Sequence, residues 1–332
     1  MGLIPLRTRA MDLVAQWGRG GGAGLDQARI EAIRRRPVPY VPPVTWFTGA
    51  VLGSVRISTT TVPVRGGRRV PVRWYHPSEA VAAGEAALPL LVYLHGGGWV
   101  HGNPANYDPL CTFLADAARV IVAALEYRLA PEHPAPAGLE DCLDAISWLA
   151  GDADRHGADR RRLGVAGDSA GGNLAAVAAQ HFTALARDSG GVNIITHQAL
   201  LYPSLDSTCL YKSKIDRAGG PILRRDQTDA YLALYLGTGP SALTARDPRI
   251  SPLIGSVEGL PPTLIQTAGL DPLRDEGLRY AGRLRAAGVP VVATDYPWCP
   301  HGFASYPGAG RGGWDHRPEL AREIARHLHA HP

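Results

Sequence analysis

The chain has 332 residues, 45% of them hydrophobic and 19% charged, a balance that is ordinary for a soluble globular protein of one large or two small domains. Its formal charge of +4 is spread along the sequence, and the short arginine runs 34–36 and 160–162 are interpreted as solvated faces or helix ends, so no nucleic-acid partner is expected. No apolar stretch is long enough to span a bilayer, and residues 1–7 lack the pattern of a signal peptide, so a cytoplasmic protein is expected.

The predicted secondary structure alternates between strands and helices along most of the chain. Strands are predicted from apolar and β-branched runs over 51–61, 70–76, 90–94, 120–125, 163–166, 196–202, 263–268 and 289–296. Helices are predicted over 25–36, 110–117, 139–149, 173–187, 225–236, 276–286 and 318–329, the first of them amphipathic, begun at Asp26 and stopped by Pro37. A hairpin turn at Gly66-Gly67 joins the first two strands.

This alternation predicts an α/β protein with a mostly parallel sheet covered by helices on both faces. The continuous apolar run 90–94 is typical of a strand buried on both sides. Residues 205–255 break the alternation because they contain one helical segment and no strand signal. We interpret that segment as an insertion.

The sequence Gly167-Asp168-Ser169-Ala170-Gly171 lies between a buried strand and an alanine-rich helix. It matches the G-x-S-x-G nucleophile elbow, in which flanking glycines allow strand and helix to approach and the serine Oγ is exposed on a strained turn. A hydroxyl is a poor nucleophile at neutral pH. It therefore needs a general base, an acid that orients the base, and donors for the oxyanion.

His301 is the candidate base because it follows the last predicted strand, at the carboxyl edge of the sheet. The other downstream histidines are placed in a helix, in a strand or near the C-terminal end: His181, His197, His316, His327, His329 and His331. Asp271 is the first carboxylate after strand 263–268, and Pro272 favours an extended conformation there. It is preferred over Asp275, which, like Glu276, is explained by capping and the dipole of the next helix.

Gly96, Gly97 and Gly98 follow the buried strand 90–94 and are candidates for an oxyanion hole. Without side chains, their backbone N–H groups can approach a substrate carbonyl closely, and the residue after the nucleophile, Ala170, adds another N–H. A phosphate-binding loop is rejected because there is no G-x-x-x-x-G-K-[ST] and no lysine nearby. His95 is interpreted as fixing this loop by a hydrogen bond rather than acting as a second base.

The four cysteines, Cys111, Cys142, Cys209 and Cys299, show neither a C-x-x-C pattern nor metal-ligand spacing. We expect free thiols in a reducing compartment. No metal and no cofactor is expected.

Five motifs together resemble the hormone-sensitive-lipase-like family of α/β-hydrolases, the bacterial family IV esterases with a GDSAG elbow. They occur in the family's order between about residues 90 and 303: His95–Trp99, Tyr127–Glu132, Gly167–Gly172, Asp271–Asp275 and His301–Phe303. The resemblance implies an α/β-hydrolase fold with about eight strands and a helical cap. It also implies a serine carboxylesterase that hydrolyses short- to medium-chain acyl esters of small molecules.

The resemblance assigns Ser169 as nucleophile, His301 as base and Asp271 as acid. The oxyanion donors it implies are the backbone amides of Gly97 and Gly98, in the glycine loop 96–98, and of Ala170. It implies a catalytic domain over 51–204 and 256–332, a cap over 1–50 and 205–255, and a homodimer formed through the last strand. Aromatic residues are candidates for the substrate pocket, with core packing as the open alternative: Trp46, Trp99, Tyr202, Tyr231, Trp298 and Phe303.

Three alternative functions are compared with the esterase. A ligand-binding receptor on the same scaffold is disfavoured because the plant receptors that resemble this family lose the catalytic histidine, whereas His301 is present. An amidase or a deacetylase acting on a small metabolite shares fold and triad, and sequence separates these reactions poorly. A lipase for long-chain emulsions is disfavoured because no amphipathic interfacial lid is evident. The sequence also departs from the family at Pro300, which stiffens the loop before His301.

Overall fold

The structure is a computed structural model that describes residues 8–9, 12, 26–35, 38–78, 87–240, 242–309 and 316–330. The segments outside these ranges include residues 1–7, most of the expected cap segment before residue 26, and residues 79–86 in the loop before the third strand.

The described residues form one eight-stranded sheet flanked by helices. The strands are β1 Val55–Val64, β2 Arg68–Pro77, β3 Leu88–Leu94, β4 Ile121–Leu125, β5 Ala158–Asp168, β6 Ile195–Leu201, β7 Thr263–Ala268 and β8 Val291–Tyr296. The α-helices are α1 Gln27–Arg35, α2 Thr45–Thr48, α3 Asp108–Ala118, α4 Ala137–Asp152, α5 Ala170–Ser189, α6 Lys212–Asp216, α7 Arg225–Leu236, α8 Arg274–Ala286 and α9 His316–His329.

The strand order is β1-β2-β4-β3-β5-β6-β7-β8, with β2 antiparallel to β1 and β4 and all other pairs parallel. The mostly parallel sheet expected from the sequence is confirmed. The predicted hairpin turn is also confirmed, because Gly66 and Gly67 join β1 to β2 at φ values of +70° and +69°. The expected pairing of two chains through β8, the outer strand opposite β1, stays a prediction.

The sheet separates two apolar cores, and β3 contributes to both. Leu90, Val92 and Leu94 belong to the core on one face, which also contains residues of helices α4, α5 and α8, whereas Leu91 and Tyr93 belong to the core on the other face, which contains residues of α3 and α9. All seven β3 residues are buried, as the continuous apolar run predicts. Because β3 is buried on both faces, its end has a fixed position in the sheet, and the loop that begins at His95 is anchored there.

Several observed elements differ from the predicted ones, among them β5, which spans Ala158–Asp168 rather than 163–166. The first strand spans Val55–Val64 rather than 51–61, and it continues through Pro63 because an edge strand tolerates a residue that cannot donate to a neighbour. The insertion contains a short helix, α6, that sequence reasoning missed, since five residues are too few to show a helical period.

The cysteines are free thiols, as predicted; Cys209 is exposed and the other three are buried. No helix in the ranges that the structure describes combines the length and apolar character needed to cross a membrane.

A substitution at Gly171 tests the close contact between helix α5 and strand β3. An added Cβ there would overlap the Leu94 carbonyl oxygen, which is backbone and cannot rotate away. We expect Gly171→Ala to lower the free energy of unfolding by about 3 kcal/mol, measured by urea denaturation.

Gly282→Ala is the matched control, because Gly282 is exposed on α8 with open space around the added methyl. This variant should be more stable than the wild type by up to about 1 kcal/mol. Equal midpoints for Gly171→Ala and the wild type would show that α5 and β3 are not in close contact.

Candidate active site

Ser169 lies between the end of β5 and the start of α5, at φ 55° and ψ −119°. A residue with a side chain held in this region stores strain on the order of 1–3 kcal/mol. The surrounding backbone maintains it: Ser169 N–H donates to the Leu201 carbonyl at 2.9 Å, and Asn173 N–H donates to the Ser169 carbonyl at 3.1 Å. The predicted strand–turn–helix at this serine is therefore present.

The three predicted triad side chains meet at the carboxyl edge of the sheet. His301 Nε2 is 2.9 Å from Ser169 Oγ, and His301 Nδ1 is 2.6 Å from Asp271 Oδ2. Asp271 is fully buried, and its other oxygen accepts a hydrogen bond from Leu273 N–H at 2.9 Å. Asp271 follows β7 and His301 follows β8, so parallel neighbouring strands deliver both groups to one place.

Asp275 and Glu276 lie in the first turn of α8, as expected, but neither side chain caps the helix. Asp275 Oδ1 accepts from the Arg274 guanidinium at 3.2 Å, and the other hydrogen bonds of the two carboxylates are made to the insertion. Asp275 Oδ2 accepts from Ser213 N–H at 2.9 Å. Glu276 is fully buried, where it accepts from the Leu205 N–H and pairs with Lys214 Nζ at 2.9 Å. The capping interpretation is corrected accordingly: these carboxylates hold the insertion against the acid-bearing loop.

The loop after β3 adopts a conformation that requires glycine. Gly97 and Gly98 have φ values of +119° and +61°, and Trp99 follows at +60°. An added Cβ on Gly97 would overlap the carbonyl of His101, and one on Gly98 would overlap the Tyr231 ring. Within the described part of the chain, no acceptor takes the N–H of Gly97 or Gly98.

Gly96 differs from its two neighbours, because its N–H already has partners. It donates to Asp168 Oδ1 at 2.8 Å and lies 3.0 Å from the hydroxyl of Tyr107. The sequence-based expectation that Gly96 also donates to an oxyanion is therefore corrected. Gly96 must still be glycine, because an added Cβ would lie 2.5 Å from Asp168 Oδ2.

Asp168 is a buried carboxylate that sequence reasoning did not assign. It accepts hydrogen bonds from Tyr93 at 2.9 Å, Gly96 at 2.8 Å and Tyr107 at 3.1 Å. Burial raises its pKa to about 6, although these three donors oppose the rise. The only sequence signal was its place in the elbow motif, which does not reveal that its side chain points toward the glycine loop.

His95 fixes the start of the loop, as predicted. Its Nδ1 is 2.8 Å from the Gly96 carbonyl, and its ring stacks on Tyr127 with centroids 4.4 Å apart. The Tyr127 hydroxyl donates to the His95 carbonyl at 2.5 Å. Burial lowers the pKa of His95 to about 4, so this ring is neutral at pH 7 and is a weaker base than an ordinary imidazole.

A cavity of about 770 Å³ opens above Ser169 and His301. Its walls come from the N-terminal segment, from the insertion and from the loops at the carboxyl edge of the sheet. The branched aliphatic side chains among its lining residues are Ile33, Val38, Val44, Leu110, Leu210, Ile222, Leu223, Leu232 and Leu273.

Of the six aromatic candidates, Trp99 and Tyr231 line this cavity. Tyr202 and Phe303 are fully buried behind His301, where the Tyr202 ring meets both at centroid distances of 4.9 Å. Trp46 and Trp298 are 68% and 43% exposed and are not among the lining residues. The expectation for the pocket therefore holds for two of the six, because the others lie in the core or at the surface outside the cavity.

Known proteins resemble the chain over most of its length. A family model described as the alpha/beta hydrolase fold matches residues 91–305. Carboxylesterase NlhH of Mycobacterium tuberculosis is 42% identical over 257 residues, covering 77% of this chain and 78% of that protein. The ethyl acetate hydrolase of Pseudomonas putida is 39% identical over 248 residues, covering 74% and 75%.

Solved structures give the same result. A hyperthermophilic esterase from the archaeon Pyrobaculum calidifontis superposes with a TM-score of 0.80 at 31% identity, covering 98% of this chain and 99% of that one. The family match spans more than half of the sequence and includes the loops that carry Ser169, Asp271 and His301. The chain therefore belongs to the α/β-hydrolase family, within its hormone-sensitive-lipase-like branch, and is a carboxylic ester hydrolase.

Proposed function

We propose that this carboxylesterase hydrolyses short- to medium-chain acyl esters of small molecules through a Ser-His-Asp triad and an acyl-enzyme. The observation that carries the proposal is the unbroken path of hydrogen bonds from Asp271 through His301 to Ser169 Oγ, at 2.6 and 2.9 Å. Nucleophile, base and orienting acid are thereby within reach of one another before substrate binds.

In the acylation step, His301 Nε2 takes the proton of Ser169 as Oγ attacks the ester carbonyl carbon. The buried Asp271 carboxylate holds the proton on Nδ1 and stabilises the imidazolium that forms. The imidazolium then gives its proton to the leaving alcohol. In the second step His301 takes a proton from water, the resulting hydroxide attacks the acyl carbon, and Ser169 regains its proton as the carboxylic acid leaves.

The backbone N–H groups of Gly97, Gly98 and Ala170 are proposed to bind the oxyanion of the tetrahedral intermediates. Gly97 and Gly98 have no acceptor among the described residues, which supports this role. Ala170 begins helix α5, so its N–H lies at the positive end of the helix dipole. Donors fixed in advance stabilise developing charge without reorganisation.

We also propose that residues 1–50 and 205–255 act as a cap on a catalytic domain formed by 51–204 and 256–332. Both cap segments contribute apolar walls to the cavity. In the described part of the N-terminal segment, Arg34 docks α1 on the catalytic domain, because it donates to the Val100 carbonyl at 2.8 Å and pairs with Glu132 at 2.9 Å.

The acyl preference is inferred from the volume of the cavity and from the side chains that line it. A volume of about 770 Å³ is in the range of pockets that enclose one small ligand. Apolar walls such as Ile222 and Leu223 suit a hydrocarbon acyl chain. The name of the Pseudomonas putida relative, an ethyl acetate hydrolase, supports acyl groups at the short end.

The nucleophile and the acyl preference can be tested together with p-nitrophenyl esters from acetate to dodecanoate. We expect the wild type to be most active on short to medium chains. Ser169→Ala should lose at least ~10³-fold in kcat on every ester, because Ser169 is the one nucleophile that the described residues place in hydrogen-bond reach of His301. Full turnover by Ser169→Ala would reject the nucleophile, and a rate that kept rising to dodecanoate would reject the chain-length preference.

The acid can be tested by comparing Asp271→Asn with Asp275→Asn. Asp271→Asn should lower kcat by ~10³–10⁴-fold, because an amide carries no negative charge to stabilise the imidazolium and its NH₂ group can donate to Nδ1, which favours the wrong tautomer of His301. Asp275→Asn should remain within about tenfold of the wild type, because Asp275 accepts from Ser213 rather than from His301. Thermal unfolding of both variants serves as the folding control. The reverse ranking of the two rates would transfer the acid role to Asp275.

A further inference from the structure

Three successive residues after β3 have left-handed backbone conformations, and the third of them is not glycine. Trp99 follows Gly97 and Gly98 at φ +60°. A bulky residue in this region is a conformational outlier that persists only when its surroundings hold it. The contacts that hold Trp99 and the glycines therefore decide the direction of the loop's N–H groups.

Helix α7 of the insertion supplies one of these contacts through Tyr235. The Tyr235 ring stacks on Trp99 with centroids 4.5 Å apart and an interplanar angle of 5°. Both residues are also anchored by their backbones: Ala130 N–H donates to the Trp99 carbonyl at 2.9 Å, and Ala135 N–H donates to the Tyr235 carbonyl at 2.7 Å. The stacked pair is therefore fixed from two sides.

Tyr231, one turn earlier on α7, supplies a second contact. Its ring covers Gly98 so closely that an added Cβ there would overlap ring carbon atoms. Its hydroxyl lies 3.0 Å from His101 Nε2, and the two rings meet edge to face at 62°. His101 in turn closes the loop, because its N–H donates to the Gly97 carbonyl at 3.0 Å. Tyr231 therefore braces Gly98 directly and Gly97 through His101.

We propose that Tyr231 is a positioning residue for the oxyanion hole, through which helix α7 of the insertion holds Gly97 and Gly98 in their left-handed conformations. The inference rests on the proposed function, in which these two residues donate to the oxyanion. It makes turnover depend on the insertion being docked: displacement of α7 removes the ring from Gly98 and the hydroxyl from His101, and the hole loses its geometry.

Tyr231 also lines the cavity, so a simple substrate contact is the competing explanation. The two roles affect different kinetic quantities. A residue that only contacts substrate changes KM, whereas a residue that orients oxyanion donors changes kcat, because those donors act on charge that develops in the transition state.

The test uses Tyr231→Phe and His101→Leu, which remove opposite ends of one hydrogen bond, and the double variant. With p-nitrophenyl acetate, each single variant should lose about tenfold in kcat, with KM changed by less than about threefold. This loss is smaller than the roughly 10²–10³-fold loss in kcat that follows removal of an oxyanion-hole donor, because the donors remain and only their orientation changes. The kcat of the double variant should be about the same as that of the more impaired single variant, because both changes break the same hydrogen bond.

A second readout separates positioning from general damage. A trifluoromethyl ketone adds to Ser169 and places an oxyanion in the hole, whereas the matching methyl ketone reports ground-state binding. The affinity of Tyr231→Phe for the trifluoromethyl ketone should fall by the same factor as its kcat/KM, whereas its affinity for the methyl ketone should equal that of the wild type. Tyr280→Phe is the control: it removes another buried hydroxyl, 3.2 Å from Gln180 and outside the cavity lining, and should change neither quantity.

Two outcomes overturn the inference while leaving the triad proposal intact: Tyr231→Phe and His101→Leu raising KM at constant kcat, or independent losses that multiply in the double variant. Either outcome counts against the inference only if Ser169→Ala is inactive in the same assay, which shows that the triad proposal stands. Retained activity of Ser169→Ala would instead reject the triad itself, so the two failures are distinguishable.

Discussion

The close approach of helix α5 to strand β3 is the constraint on which the geometry of the active site depends. Gly171 at the start of the helix lies against the Leu94 carbonyl at the end of the strand, with no room for a Cβ between them. The backbone must therefore turn within a single residue, and that residue is Ser169, at φ 55°. The same turn aims Asp168 across the strand ends at Gly96. One packing contact thus orients the nucleophile and connects it to the glycine loop.

Asp168 shows how this connection is stabilised. A buried carboxylate is costly unless donors compensate for lost water, and three donors from β3, the glycine loop and Tyr107 converge on it. Because its pKa is about 6, the Asp168 carboxyl is ionised above that pH, and its negative charge then lies near the catalytic groups. A positive charge on His301 favours the ionised form of Asp168. The imidazolium of the reaction therefore lies in a field from two buried carboxylates rather than from Asp271 alone.

The sequence predicted the sheet and the three central side chains because their signals are local. Ser169 lies in a five-residue motif, and Asp271 and His301 each follow a recognisable strand. The engaged N–H of Gly96 was not predictable, since it depends on where a side chain from another strand points. The exposure of Trp46 and Trp298 depends on tertiary placement, which aromatic character does not encode. The role of Asp275 was hidden because its partner, Ser213, is 62 residues away.

The insertion connects parts of the site that the sheet keeps apart. The glycine loop follows β3 and the loop of Asp271 follows β7, with β5 and β6 between them in the strand order. Near its start, the insertion contacts the helix that follows the Asp271 loop: Ser213 binds Asp275, and Lys214 binds Glu276. One helix later, it binds the glycine loop through Tyr231 and Tyr235. A segment that leaves the sheet after β6 thus contacts both loops from above. Cavity shape, the support of the acid loop and the glycine-loop conformation are consequently properties of the same segment.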